Sequence, residues 1–273
     1  MKQVLLLTDF SNNAENAVHY GIQFFGLKDC RYILLHCLYE TPPFNDAVVS
    51  QATEIETDVK ARLAAKMASL QKVYESNLKI SSRIEIGKLK FSIHQIIKDI
   101  GPDYIVVGNR KRSDLSNFLL KSNTEEVVKE ANVPVLAIPE SATFESLKNP
   151  VLASDLKEGK NPKLFTSIVE LFRGHGCTLK ILNVHQNAEI LSEAEASAGI
   201  KIDRLLGELP HDFYYNEHES IPEGIVQFAK QEESSMLILI ARKHNLFERI
   251  FGKSVTSTMA QLADIPLLVL HES

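Results

Sequence analysis

The sequence predicts an α/β protein built from two tandem doubly wound parallel-sheet domains, and three observations carry that prediction. Apolar runs alternate with segments of helical period; the runs are nearly continuous in apolar residues, as strands covered on both faces must be; and the pattern occurs twice along the chain. At 273 residues there is room for two domains of roughly 150 residues each. With 44% hydrophobic and 24% charged residues, each half can bury a core. We expect domains over residues 1–146 and 147–273, the second the shorter and more degenerate, joined through the polar stretch 141–150 that ends in Asn149-Pro150.

Each element has its own signal. Val4-Leu5-Leu6-Leu7-Thr8-Asp9 reads as a first strand, repeated as Val151-Leu152-Ala153-Ser154-Asp155. Ala14, Ala17, Val18, Gly21, Ile22 and Phe25 then fall on one helical face. The second copy of that helix opens at Asn161-Pro162, a capping residue followed by a proline at the first helical position. A second strand, Tyr32 to Cys37, matches Leu179 to Val184. A long helical pattern from Val48 to Tyr74 is matched by a shorter one from Ile190 to Leu206, which is where the second copy loses residues. Ser92 is placed to cap a third helix that buries Ile93, Ile96, Ile97 and Ile100. Asp103 to Gly108 matches Met236 to Ala241 as a fourth strand. A fourth helix starts at Thr124 or Thr256, and fifth strands run from Val133 to Ile138 and from Ile265 to Leu270. Short apolar edge strands left open invite aggregation, so the two fifth strands are expected to pair with each other as an intramolecular pseudo-dimer, with further homodimerisation open.

Several function classes are excluded by composition. A net charge of −5 provides no cationic field for nucleic acid or an anionic membrane. No apolar run approaches the roughly 18 residues of a bilayer span. Strand-like sequence begins directly after Met1-Lys2-Gln3, with no signal-peptide pattern, so a cytoplasmic location is expected. Cys30, Cys37 and Cys177 form no C-x-x-C pair, which argues against a disulfide framework or a structural zinc site.

In doubly wound sheets ligands bind beyond the carboxyl ends of the strands, where strand order reverses. The residues to watch are therefore Thr8-Asp9, Cys37, Val107-Gly108 and Lys111, and then Lys121-Ser122-Asn123-Thr124 at the start of a helix, whose free N–H groups and dipole suit a phosphate. The corresponding positions of the second half are Asp155, Val184, Ala241, His244, Lys253, Ser254 and Thr256. In this pattern the chain resembles the universal stress protein family, whose nucleotide-binding members carry G-x-x-G, nine residues, then G-[ST]-x-T. The first half keeps Gly108 and the spacing but has Lys111 and Lys121 at the other glycine positions. The second half has Ala241, His244 and Lys253 there, with a loop one residue shorter. The resemblance implies a Rossmann-like fold akin to the adenine nucleotide alpha hydrolases. It also implies adenine recognition near Asp9 and Cys37, and ribose and phosphate contacts along 108–124, with ATP or AMP as the candidate ligand. Because the first half keeps Gly108 and the nine-residue spacing and the second keeps neither, any nucleotide that binds is expected in the first half.

Other motifs give less. Gly252-Lys253-Ser254 is not a P-loop, because Phe247 stands where that motif needs glycine. His211 and His218 lack the spacing of a metal site and read as exposed strand histidines. His36 and His185 close second strands, and His36 reads as a packed histidine with no partner for general-base work. Asp9 is suited either to touch a ligand or to cap its own turn. Lys111 and Lys121 either bring ammonium groups to a phosphate or line an abandoned site as solvated loop residues. The expected function is a nucleotide-responsive or protein-binding stress factor rather than a turnover enzyme. The alternatives are a scaffold with both sites lost and a slow ATP-hydrolysing enzyme of related fold; no Walker lysine and no carboxylate pair support the latter.

Overall fold

The computed structural model describes residues 1–38, 46–74, 77–109, 123–156, 162–186, 193–241 and 264–271. The chain divides into two compact units, Met1–Glu140 and Ser141–Ser273. The first contains β1 (Lys2–Leu7), α1 (Asn12–Phe25), β2 (Cys30–Leu38), α2 (Asp46–Val73), β3 (Ile80–Ile86), α3 (Leu89–Ile100), β4 (Tyr104–Asn109), α4 (Asn123–Glu130) and β5 (Val135–Pro139). The second contains β6 (Val151–Ala153), α5 (Pro162–Phe172), β7 (Leu179–His185), α6 (Glu193–Leu206), β8 (His211–Glu217), α7 (Ile221–Gln231), β9 (Leu237–Ala241) and β10 (Leu267–His271).

Within the first unit the strands run in the order β3-β2-β1-β4-β5, every pair parallel. Within the second the order is β10-β9-β6-β7-β8, again all parallel. Order reverses beside β1 in one unit and beside β6 in the other, so each has its switch point at its first strand. The central strands are buried along almost their whole length: Val4, Leu5, Leu6, Leu34, Ile105, Val106, Leu136 and Ala137 are at most 1% exposed. The edge strands β3 and β8 instead contain only half-buried and exposed residues. Among the described residues, their outer edge carries no further strand of its own unit.

Local sequence sets the ends of the helices. Ser11 has extended backbone and its Oγ accepts from the Ala14 N–H at 3.2 Å, a side-chain N-cap for α1. Gly101, at φ 62° and ψ 49°, closes α3 in the left-handed conformation, its N–H donating to the Ile97 carbonyl. One expectation is corrected here. Ser92 is not the cap of α3: that helix begins three residues earlier, and the Ser92 hydroxyl donates back to the Lys88 carbonyl at 3.3 Å. The earlier start is set by Gly87, whose φ of 123° turns the chain directly out of β3.

Candidate functional site

At the switch point of the first unit lies a cavity of about 490 Å³, within the range of small-molecule sites. Leu7, Leu35 and Val107, at the ends of β1, β2 and β4, give it an apolar floor. Thr8, Asp9, Asn13, His36, Lys88 and Glu126 bring polar groups to it from five different elements or turns.

The turn from β1 to α1 is built from side chains that bond their own backbone. Thr8 Oγ1 accepts from the Phe10 N–H at 3.0 Å, and Asp9 Oδ1 accepts from the Ser11 N–H at 2.9 Å. These bonds hold Phe10 at a φ of 61°, a conformation that a bulky residue adopts only when its surroundings impose it. The second copy repeats the device: Ser154 Oγ accepts from the Leu156 N–H at 3.0 Å and Leu156 has a φ of 54°. Asp9 thus caps its turn while also lining the cavity.

His36 is the residue that sequence reasoning set aside. It lines the cavity, its Nδ1 lies 2.8 Å from the Thr8 carbonyl, and the Phe10 ring packs against it with centroids 4.7 Å apart. The Arg62 guanidinium of α2 sits over Phe10 at 4.0 Å. The signal for His36 was present in the repeat: Asn183 stands at the matching position and its Nδ2 donates to the Ser154 carbonyl at 2.9 Å. Two different residues making the same bond mark a position that must reach the first-strand carbonyl. Asn13, Gly87, Lys88 and Glu126 were also missed: Gly87 and Lys88 follow β3, a half-exposed strand without the apolar run that marks the others, and Asn13 and Glu126 enter from the first turns of helices.

The other expected residues divide into two groups. Cys37, Val107, Gly108 and Thr124 all line the cavity. The Cys37 thiol is pushed up to about 11 by burial, with the Glu85 carboxylate adding to it, so it is a packing group and not a nucleophile at neutral pH. Gly108 is explained by packing: a Cβ there would lie 2.7 Å from Asn13 Nδ2 and 3.0 Å from the Asn13 carbonyl oxygen. Thr124 is 3% exposed and its hydroxyl donates to the Gly108 carbonyl at 2.8 Å, fastening the first turn of α4 to the end of β4. Lys111, Lys121 and Ser122 lie outside the described residues, as do His244, Lys253, Ser254 and Thr256 of the second half, and Asn123 is placed only as the first residue of α4.

In the second unit, Asp155 comes after β6, Val184 is near the end of β7 and Ala241 ends β9, at the positions that match Asp9, Cys37 and Gly108. The first turn of α7 packs tightly there, since a Cβ on Gly224 would meet Val184 Cγ1 at 2.8 Å. The exposed-histidine reading of His211 is corrected. Its side chain is only 9% exposed, with ring nitrogens on the Leu209 carbonyl at 2.7 Å and the Asp203 carboxylate at 3.2 Å. His218 Nδ1 accepts from the Ser220 N–H at 3.0 Å. Among the described residues no helix is long and apolar enough to cross a membrane.

Comparison with known proteins agrees with this geometry. The model of the universal stress protein family matches twice, over residues 1–139 and 148–271. The chain belongs to the universal stress protein family. Universal stress protein MJ0577 of Methanocaldococcus jannaschii is 32% identical over 152 residues, covering 50% of this chain and 94% of that protein. A universal stress protein of Archaeoglobus fulgidus has the same fold over nearly the whole length, with a TM-score of 0.73 at 15% identity, covering 99% of this chain and 96% of that one. Another from Archaeoglobus fulgidus, solved in complex with dAMP, covers 46% of this chain and 99% of its own, with a TM-score of 0.33 at 14% identity.

Proposed function

We propose that the first half binds an adenine nucleotide, ATP or AMP, in the cavity at its switch point, and that the protein is a cytoplasmic, nucleotide-responsive or protein-binding stress factor rather than a turnover enzyme. The observation that supports this best is the cavity itself: about 490 Å³ over an apolar floor, ringed by hydroxyl, imidazole, amine and carboxylate groups at the carboxyl ends of parallel strands. The base would lie near Asp9 and Cys37. Ribose and phosphate would extend past Gly108 toward Lys111, Lys121, Ser122 and the start of α4, with Asn123 and Thr124 in its first turn; there Lys121 supplies charge and the helix its positive end. The second half, with Ala241, His244 and Lys253 in its loop, would hold no nucleotide. The duplication also supports pairing of the two halves as a pseudo-dimer.

Calorimetry and thermal shift on the full chain with ATP and AMP test the reading. One site per chain is expected. At a ligand concentration of 100 times Kd the added stability is about 2.7 kcal/mol, a rise in Tm of several degrees. Ser122→Ala should weaken binding roughly ten- to a hundredfold, and Ser254→Ala should leave it unchanged. Two equal sites, or no binding at millimolar nucleotide, would overturn the assignment. Sustained phosphate release near 1 s⁻¹ or faster, roughly the low end of ordinary enzymes, would overturn the non-enzymatic reading.

A further inference from the structure

We propose that His36 selects which purine the cavity accepts and makes that selection depend on pH, an inference that rests on the nucleotide reading above. The Thr8 carbonyl can only accept, so the Nδ1 facing it at 2.8 Å carries a proton in both charge states of the ring. Among the described residues the His36 ring makes no second hydrogen bond. Phe10, backed by Arg62, packs on the ring and holds its plane. Nε2 is therefore the nitrogen His36 has to offer the cavity it lines. In the neutral ring Nε2 is a bare acceptor, suited to the 6-amino group of adenine. In the imidazolium it is a donor, suited to the 6-oxo group of hypoxanthine.

The second half provides an internal control. Asn183 makes the same clasp to the first-strand carbonyl, and its Oδ1, in a residue 4% exposed, is a buried acceptor with no partner among the described residues. An amide thus fills this position without breaking the turn, and its acceptor cannot be protonated.

The charged groups around the cavity that His36 lines are Asp9 on the β1–α1 turn, Lys88 before α3 and Glu126 of α4, with Arg62 of α2 behind Phe10; Glu85 of β3 pairs in register with Cys37, not with His36. These charges act alike on both nucleotides, because AMP and IMP carry the same phosphate into the same field. The direction comes from Nε2 alone: lowering the pH must shift preference from AMP toward IMP.

The test is calorimetry of AMP and IMP against the full chain from about pH 5.5 to pH 8, where histidines titrate. The ratio of AMP to IMP affinity should fall about tenfold or more as the pH is lowered. His36→Asn should keep the preference for AMP and flatten its pH dependence. A ratio in the native chain that does not change with pH overturns the proposal without any variant being needed, as does a His36→Asn profile with the native slope. If both nucleotides bind with a constant ratio, only the role of His36 falls. If neither binds at any pH, the nucleotide reading falls and takes this inference with it.

Discussion

Replacing Gly108 with alanine tests the packing that shapes the cavity. The backbone of Gly108 has no positive φ, so conformational freedom is not what the position requires. Space is what it requires. The added methyl would lie 2.7 Å from Asn13 Nδ2, 3.0 Å from Asn13 Cγ and 3.0 Å from the Asn13 carbonyl oxygen, whereas carbon contacts are comfortable at about 3.5–4.0 Å. The amide of Asn13 has little room to swing away, being 5% exposed, and the carbonyl is backbone at the start of α1. The start of that helix must therefore move by about 0.5 Å or more, or the end of β4 must, which would stretch the 2.8 Å bond from Thr124 to the Gly108 carbonyl. Overpacking of this kind costs about 1–3 kcal/mol, and for a unit of this size that lowers Tm by roughly 2–12 °C. Thermal unfolding of the full chain, monitored at the transition of the first half, gives the number. The reverse change sharpens the test: Ala241→Gly, at the matching position, should also destabilise, by about 0.5–1 kcal/mol, through lost strand rigidity. Gly108→Ala without effect, or with a gain in stability, would refute the packing explanation of this glycine.

Particular contacts carry three further expected outcomes. Ser11→Ala removes the N-cap of α1 and should cost about 1 kcal/mol in urea denaturation, with Ser11→Asp restoring most of it. Lys180 is 9% exposed, paired with Glu232 and set over the Tyr214 ring, so Glu232→Gln should destabilise the second unit by about 1–3 kcal/mol. Lys180→Met should do less harm, since it leaves behind only a carboxylate that water reaches. Burial raises the Cys37 thiol to about 11, so iodoacetamide at pH 8 should modify it far more slowly than a free cysteine. The same shift adds stability that is complete below about pH 9 and is lost as the pH climbs toward about 11, which alkaline denaturation of Cys37→Ala against the parent would measure.

The first, second, fourth and fifth strands of each half were readable because parallel strands buried on both faces leave apolar runs, and the repeat supported each with a matching run in the other half. The edge strands β3 and β8 have no fully buried residue and leave no such run, so they went unread. Helix starts were less readable: Ser92 has the chemistry of a cap, yet the turn at Gly87 lets α3 begin first, and the serine is left to bond backwards. At the site, Thr8, Asp9, Cys37, Val107, Gly108 and Thr124 were found because each sits at or just past a strand end or in the first turn of a helix. Asn13, Lys88 and Glu126 adjoin no strand end directly, and only the sheet order brings them over the ends of β1, β2 and β4. His36 was read as a packed histidine, and it does pack on Phe10; its place in the cavity wall went unread because its partner is a backbone carbonyl, which leaves no trace in a search for acid–base pairs.

Comparing the two copies separates the residues that build the turn from those that face a ligand. Each copy keeps a hydroxyl residue, an aspartate and a positive-φ residue after its first strand, with the same hydroxyl-to-backbone bond. A feature held in both halves is accounted for by the turn itself, so Asp9 is weak evidence for a ligand even though it lines the cavity. The positions that differ are more telling: Phe10 against Leu156, His36 against Asn183, Cys37 against Val184 and Gly108 against Ala241. Phe10 is partly exposed where Leu156 is 1% exposed, so the second copy buries the residue that the first keeps near the surface. At the first two the bond survives in both copies, Leu156 N–H to Ser154 as Phe10 N–H to Thr8, and Asn183 to the Ser154 carbonyl as His36 to that of Thr8, while ring and thiol give way to amide and methyl groups. At these positions the wall changes around a turn that both copies keep, so a substitution there alters the wall and leaves the turn in place. It is also why the pH profile of His36→Asn, which converts one wall toward the other without touching the turn, discriminates more sharply than any substitution of the aspartate.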